Sequence, residues 1–327
     1  MASKNLKGYA FEYFVRHFLI SCGFKPVKEE GDIIFNNGTG TMIQGLGQCH
    51  NADVLMEPPI QTPFYAPSRI LVECKCHGKK IGLPTVRGLL GLRSDINNFD
   101  IVTPKILKSR RNLRRNELNL FKYTRCQYQV ALATNSEVTY TAQEFSNIHR
   151  IPLILFTSSL FDEINTHLSE IDDMILSHFE TEVIIEYFRQ PKDREIPQKI
   201  SGFVECVEDL SKRINIGILD NGMLLFLLEG YERDEQFPQF SDGFTLHWAN
   251  ENDLWVLSSQ NTTYYFELPK ELIKIWISSD NQKSGALSLK DKYFRNIVIF
   301  PNKSKSNKID IIQISQDFLD NAIDHNN

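Results

Sequence analysis

Three residues of this chain could do hydrolytic chemistry together: Asp53, Glu73 and Lys75. Glu73 and Lys75 stand two positions apart in the run 68–76, where Ile70, Leu71 and Val72 predict a strand. Side chains alternate faces along a strand, so Glu73 and Lys75 project to one side and Val72, Cys74 and Cys76 to the other. An adjoining strand over 52–56 that points Asp53 the same way would bring two carboxylates and an ammonium within reach of one divalent ion. Such a set suits a phosphodiester, an anionic ester that resists attack until positive charge, an activated water and stabilisation of the leaving oxygen are supplied. Asp53 and Glu73 are oxygen ligands of the kind Mg²⁺ takes, with the main-chain carbonyl of Cys74 as a third. Lys75 would orient and help deprotonate the attacking water, or offset charge on the phosphate; both roles stay open.

The elements that must position these groups are legible from periodicity. Phe11, Phe14, Val15, Phe18 and Leu19 form one apolar stripe and predict a helix over 7–21, with Gly23 placed for a left-handed cap. Short Gly- and Asn-rich runs occupy 31–51, and Pro58, Pro59, Pro63 and Pro67 mark a loop. After the 68–76 strand a helix opens near Pro84 and carries Val86, Leu89, Leu90 and Ile96. A strand over 128–134, a helix over 141–150 and a strand over 151–156 complete an α/β sandwich. One amphipathic acidic helix is expected over 159–178. Strands are expected over 183–188, 223–229, 254–259, 262–268 and 296–300, giving a second, mostly β (α+β) domain. The expected division is 1–158 and 159–327.

The residues Gly8 to Glu12, the run Gly45-Leu46-Gly47-Gln48-Cys49-His50-Asn51-Ala52-Asp53, and Glu73-Cys74-Lys75 resemble the Mrr-like branch of the PD-(D/E)xK nucleases over roughly residues 4–156. The resemblance implies a restriction-endonuclease-like αβ sandwich with Asp53 as metal-binding aspartate, Glu73 as second acidic ligand, Lys75 as the lysine, and Glu12 as an acidic residue near the metal. It implies Mg²⁺, with Mn²⁺ as substitute, and hydrolysis of DNA in prokaryotic restriction or defence. Ala52 replaces the proline that names the motif, and Asn51 stands where glutamine is common. His50 could touch the metal or the scissile phosphate, or be a histidine hydrogen-bonded in a turn.

Charge supports a polyanion partner. Residues 1–156 hold 20 Lys and Arg against 12 Asp and Glu, a balance of +8, whereas the remainder holds 16 against 29, a balance of −13. Lys105, Lys108, Arg110, Arg111, Arg114, Arg115, Lys122 and Arg125 would make salt-dependent phosphate contacts, or form a solvated helical face pairing with the acidic half. Lys79 and Lys80 could contact the backbone near the cut. Gly78-Lys79-Lys80 lacks the spaced glycine and the Ser or Thr of a phosphate-binding loop, which sets nucleotide hydrolysis aside.

The alternatives are an RNase or structure-specific nuclease, and an inactive nuclease fold serving as a DNA-binding or assembly subunit. The acidic half would recognise a site, a regulator or another subunit, or hold the basic half shut. Cutting both strands favours a homodimer. Six cysteines without a CxxC pair fit reduced, buried thiols in the cytoplasm rather than zinc at Cys49, His50, Cys74, Cys76 and His77. With no long apolar run and no apolar leader, neither membrane spanning nor secretion is expected.

Overall fold

A computed structural model describes residues 6–38, 40–61, 66–100, 103–112, 125–191, 194–219, 224–230, 245–249, 254–258, 263–268, 296–300 and 310–313. The apolar stripe of the first helix, α1 (Leu6–Ser21), is buried at all five expected positions. Gly23 N donates to the Ile20 carbonyl at φ +94°, the left-handed conformation in which a Cβ is strained.

Strands β1 (Lys25–Pro26), β2 (Ile34–Asn36), β3 (Thr41–Gln44), β4 (Cys49–Ala52), β5 (Val54–Glu57) and β6 (Ser68–Lys75) follow. Then come α2 (Leu83–Asn98), α3 (Pro104–Asn112), β7 (Gln127–Thr134), α4 (Tyr140–His149) and β8 (Leu153–Leu155). One sheet has the order β1-β5-β6-β7-β8, antiparallel from β1 to β6 and parallel from β6 to β8. The parallel pairs need crossovers, and α2 and α4 lie in the two connections. Leu55, Leu71, Val130 and Leu132 from this sheet share a core with Val86, Leu89 and Ile96 of α2. The Gly- and Asn-rich runs make a separate antiparallel meander, β2-β3-β4.

Beyond these lie α5 (Asp162–Asp173), α6 (His178–Arg189), α7 (Ser201–Arg213) and β9 (Ile214–Ile218). They are followed by β10 (Leu224–Glu229), β11 (Thr245–Ala249), β12 (Leu254–Ser258), β13 (Thr263–Phe266), β14 (Asn296–Phe300) and β15 (Asp310–Gln313). The seven strands form one antiparallel sheet, β11-β12-β13-β10-β9-β14-β15. The expected class, a mixed α/β core followed by a separate α+β part, is observed.

Two expectations need correction. The run 183–188 is not a strand: Ser177 and Glu180 form a reciprocal capping box that starts α6, and Ile184, Tyr187 and Phe188 are buried at helical spacing. The single helix over 159–178 is instead a 3-10 turn (Ser159–Phe161), then α5, then a break before α6.

The division of the chain also differs from a cut at 158. The compact units are Phe24–Leu155 and, together, Met1–Gly23 with Phe156–Asn327. The reason lies in the α1 stripe, since the Phe14 ring meets Phe156 edge-on at 4.8 Å. Tyr13 packs on Phe188 at 5.4 Å, and Arg16 donates to the carbonyls of Phe188 and Arg189 at 3.3 and 3.1 Å.

Candidate active site

The antiparallel register pairs Val54 with Val72 and Leu55 with Leu71, so one further step sets Asp53 opposite Glu73. Directly opposed residues share a face. Glu73 and Lys75 have the parity of Leu71, which packs with α2, and therefore project to the α2 side of the sheet. The expected strand over 52–56 is broken at Asp53, where the chain bends from β4 of the meander into β5 of the main sheet. The bend has a hydrogen-bonding cause: Cys74 N donates to Asp53 Oδ2 at 2.9 Å, and Asn51 Nδ2 donates to Oδ1 at 3.1 Å. Asn51 thus holds the carboxylate.

Lys75 Nζ donates to Glu73 Oε1 at 2.6 Å, a half-buried charged pair. Burial and then the charge of Glu73 push the Asp53 carboxyl up to about 6, against the Cys74 N–H, Lys75 and Asn51. Burial pulls the Lys75 ammonium down, but the Glu73 hydrogen bond and the charges of Glu73 and Asp53 outweigh it and hold Lys75 above its ordinary value. Two facing carboxylates, one resisting ionisation because of burial and then because of the other, fit a divalent cation whose charge offsets that penalty. Asp53, Glu73 and the Cys74 carbonyl are the oxygen donors that would hold it.

Glu73 and Lys75 border a cleft of about 460 Å³ that is also lined by His50, Asn51, Thr85 and Gly88. One flank of α2 lines its other side, through Pro84, Thr85, Gly88, Leu89, Gly91 and Leu92. A Cβ on Gly88 or Gly91, both in the lining, would meet nothing within 4 Å, so these positions leave room for a close-approaching ligand.

His50 is fixed by a partner that sequence reasoning missed. Its Nε2 lies 2.7 Å from Asp95 Oδ2, and Gly47 N donates to Asp95 Oδ1 at 2.9 Å. A carboxylate accepts only, so Nε2 carries the proton and Nδ1 is the remaining polar atom. The His50 hydrogen bond and then the Gly47 N–H hold Asp95 below the usual carboxylate range. A Cβ on Gly45 would fall 2.0 Å from Asp95 Oδ2, which is why glycine stands at that turn. Asp95 carried only a weak signal, a carboxylate beside core residue Ile96 on α2.

The other expected residues are placed as follows. Glu12 is half-buried on α1, in the unit that does not contain Asp53. Lys79 and Lys80 are exposed in the turn after β6, and Lys80 pairs with Glu137 at 2.7 Å. Lys105, Lys108 and Arg111 are exposed on α3, and Arg125 is exposed before β7. Arg110 lies on α3 with its side chain outside the described residues, as are Arg114, Arg115 and Lys122 entirely. All six cysteines are free, but only Cys22 is buried and Cys49 is exposed, which corrects the uniform burial expected. Among the described residues, Cys49, His50, Cys74, Cys76 and His77 form no metal-ligand group, and no helix is long and apolar enough to cross a membrane.

No protein-family model and no curated protein matches this chain. Among solved structures, the crystal structure of a protein of unknown function, AF1548, aligns with 62% of this chain and 97% of its own length. Identity is 12% and the TM-score 0.35, a likeness too slight to bear on fold or activity.

Proposed function

We propose that the Phe24–Leu155 unit is a divalent-metal-dependent nuclease centre of the PD-(D/E)xK kind, acting on DNA. The observation that carries this reading is the convergence of Asp53, Glu73 and Lys75 on one face at the end of β6, where Glu73 and Lys75 border a cleft walled by the flank of α2. Mg²⁺, or Mn²⁺ in its place, would be held by Asp53, Glu73 and the Cys74 carbonyl, and when bound it supplies positive charge to the phosphoryl oxygens. Lys75 presents its ammonium to the attacking water or the phosphate, while Glu73 fixes its position. Asn51 and the Cys74 N–H orient Asp53, and Asp95 orients His50 at the cleft wall. The cations of α3 and the turn after β6 would hold the nucleic-acid backbone without reading sequence.

The setting proposed is cytosolic, in keeping with six free cysteines. A homodimer would supply the second centre needed to cut both strands. The acidic unit would contribute recognition or regulation through a protein partner or ligand.

The test is cleavage of supercoiled plasmid, single-stranded DNA and RNA by the purified chain in Mg²⁺, Mn²⁺ and EDTA. Metal-dependent cutting that falls at least about 100-fold in Lys75→Ala is expected. Preference for RNA would move the substrate to the RNase reading. Binding that persists in EDTA with no cutting in either metal would favour an inactive binding module.

A further inference from the structure

Outside the Asp53 site, α5 and α7 bring together a second set of ligand-type side chains. Glu163 and His167 stand four positions apart on α5, one turn along a common face, and Cys206 comes from α7. A donor atom of each lies within 4.8 Å of the other two. Burial and then the neighbouring Glu163 carboxylate push the Cys206 thiol up to about 12. The His167 ring is set against α7: a Cβ on Gly202 would lie 3.5 Å from its Cε1, and the Phe203 ring meets it edge-on at 6.5 Å. Its Nδ1 is engaged by Glu170 Oε2 at 3.0 Å. A carboxylate on one ring nitrogen fixes the tautomer and leaves the other nitrogen as a lone pair, as in histidines that bind metals.

We propose that Glu163, His167 and Cys206 bind a zinc ion that ties α5 to α7, with a fourth coordination position open to water. Sulfur, imidazole nitrogen and one carboxylate oxygen form a donor set suited to zinc, whereas magnesium takes oxygen. Tetrahedral zinc at its usual bond lengths spaces donors about 3.3–3.8 Å apart, so side-chain rotation of about an ångström closes the set. Glu163 is exposed and the other two are half-buried, which leaves a path for the ion. On binding, the Cys206 sulfur gives up its proton to solvent, and the sulfur–metal bond takes its place. The proposal is independent of the nuclease reading, since all three donors belong to the unit that does not contain Asp53.

Cobalt is the probe, because a thiolate–cobalt bond has a near-ultraviolet charge-transfer absorption that oxygen-only sites lack. Titration of the full chain with Co²⁺ is expected to raise this band to an equimolar end point, and Zn²⁺ is expected to abolish it. Cys206→Ser should lose the band while keeping the wild-type circular dichroism in EDTA, and Glu170→Gln should weaken cobalt binding about 10–100-fold. A folded wild type without the band, or a band that survives in Cys206→Ser, overturns the proposal. If Cys206→Ser fails to fold, Glu170→Gln decides: unchanged cobalt affinity overturns the site and a loss supports it.

Discussion

Asp53 is caught between two demands. Its carboxyl is turned inward beside Glu73 and held up to about 6 by burial and by that neighbour's charge. An acid whose folded pKa exceeds its unfolded value of about 3.9 binds extra protons when folded, so stability falls as pH rises from about 4 to 6 and stays reduced above. Asp53→Asn removes that penalty while keeping an oxygen for the Cys74 N–H. Thermal unfolding in EDTA should show the variant more stable than wild type near pH 7.5, by up to about 3 kcal/mol, with no gain near pH 3.5. Wild-type-like stability at both pH values would show that the carboxylate is not strained. Asp95 has the opposite sign, because its folded pKa is lowered. Its contribution is present at neutral pH and lost on acidification through that lowered value. Gly45→Ala drives a Cβ into the Asp95 carboxylate and the Gln48 carbonyl. A cost of about 1–3 kcal/mol in chemical unfolding is expected, together with displacement of the His50 ring resonances in NMR; a silent substitution would contradict the turn described.

At the scale of elements, β6 carries the site at one end and a charged clamp at the other. Arg69 is 5% exposed and donates to Glu30, Glu57 and the Tyr128 hydroxyl, joining β5, β6 and β7 to the chain before β2. Arg69→Ala should cost about 3 kcal/mol, the lower end for a broken buried pair, because Glu30 and Glu57 keep contact with water. Denaturant unfolding measures it, and a cost below about 1 kcal/mol would mean the clamp is incidental. The β6 strand was legible because Ile70, Leu71 and Val72 lead directly into Glu73-Cys74-Lys75, and alternation alone predicted the face shared by the charged pair. The α1 stripe and the start of α2 at Pro84 were legible for the same reason, a strong period with a local stop or start signal. The β2-β3-β4 meander was not, since its strands are three or four residues long and rich in polar side chains. The helix α6 was misread because Val183, Ile184 and Ile185 favour a strand locally, and only the Ser177 cap and tertiary burial of Ile184, Tyr187 and Phe188 decide otherwise. Asp95 escaped because its partner is 45 residues away, a separation that no local pattern reports.

For the whole molecule, the grouping of α1 with the later chain determines where the protein can be cut. The Phe14 and Phe18 rings pack with Phe156, and Phe18 also packs with Phe226 of β10, so a fragment ending at 158 leaves part of this aromatic surface uncovered. Fragment 1–158 should aggregate or bind a hydrophobic dye in gel filtration, where the full chain does not; a well-behaved monomeric fragment would contradict the grouping. Phe14→Ala should accordingly destabilise the full chain by about 3–5 kcal/mol in chemical unfolding. At this scale the proposed activity is metal-dependent hydrolysis of phosphodiesters by the full chain at Asp53, Glu73 and Lys75. Its most direct test is nicking of supercoiled plasmid in Mn²⁺ by the wild type and by Asp53→Asn, side by side with their unfolding curves. Metal-dependent nicking is expected from the wild type and none from a variant that is folded and more stable than it. Equal nicking by the two proteins would contradict the proposal.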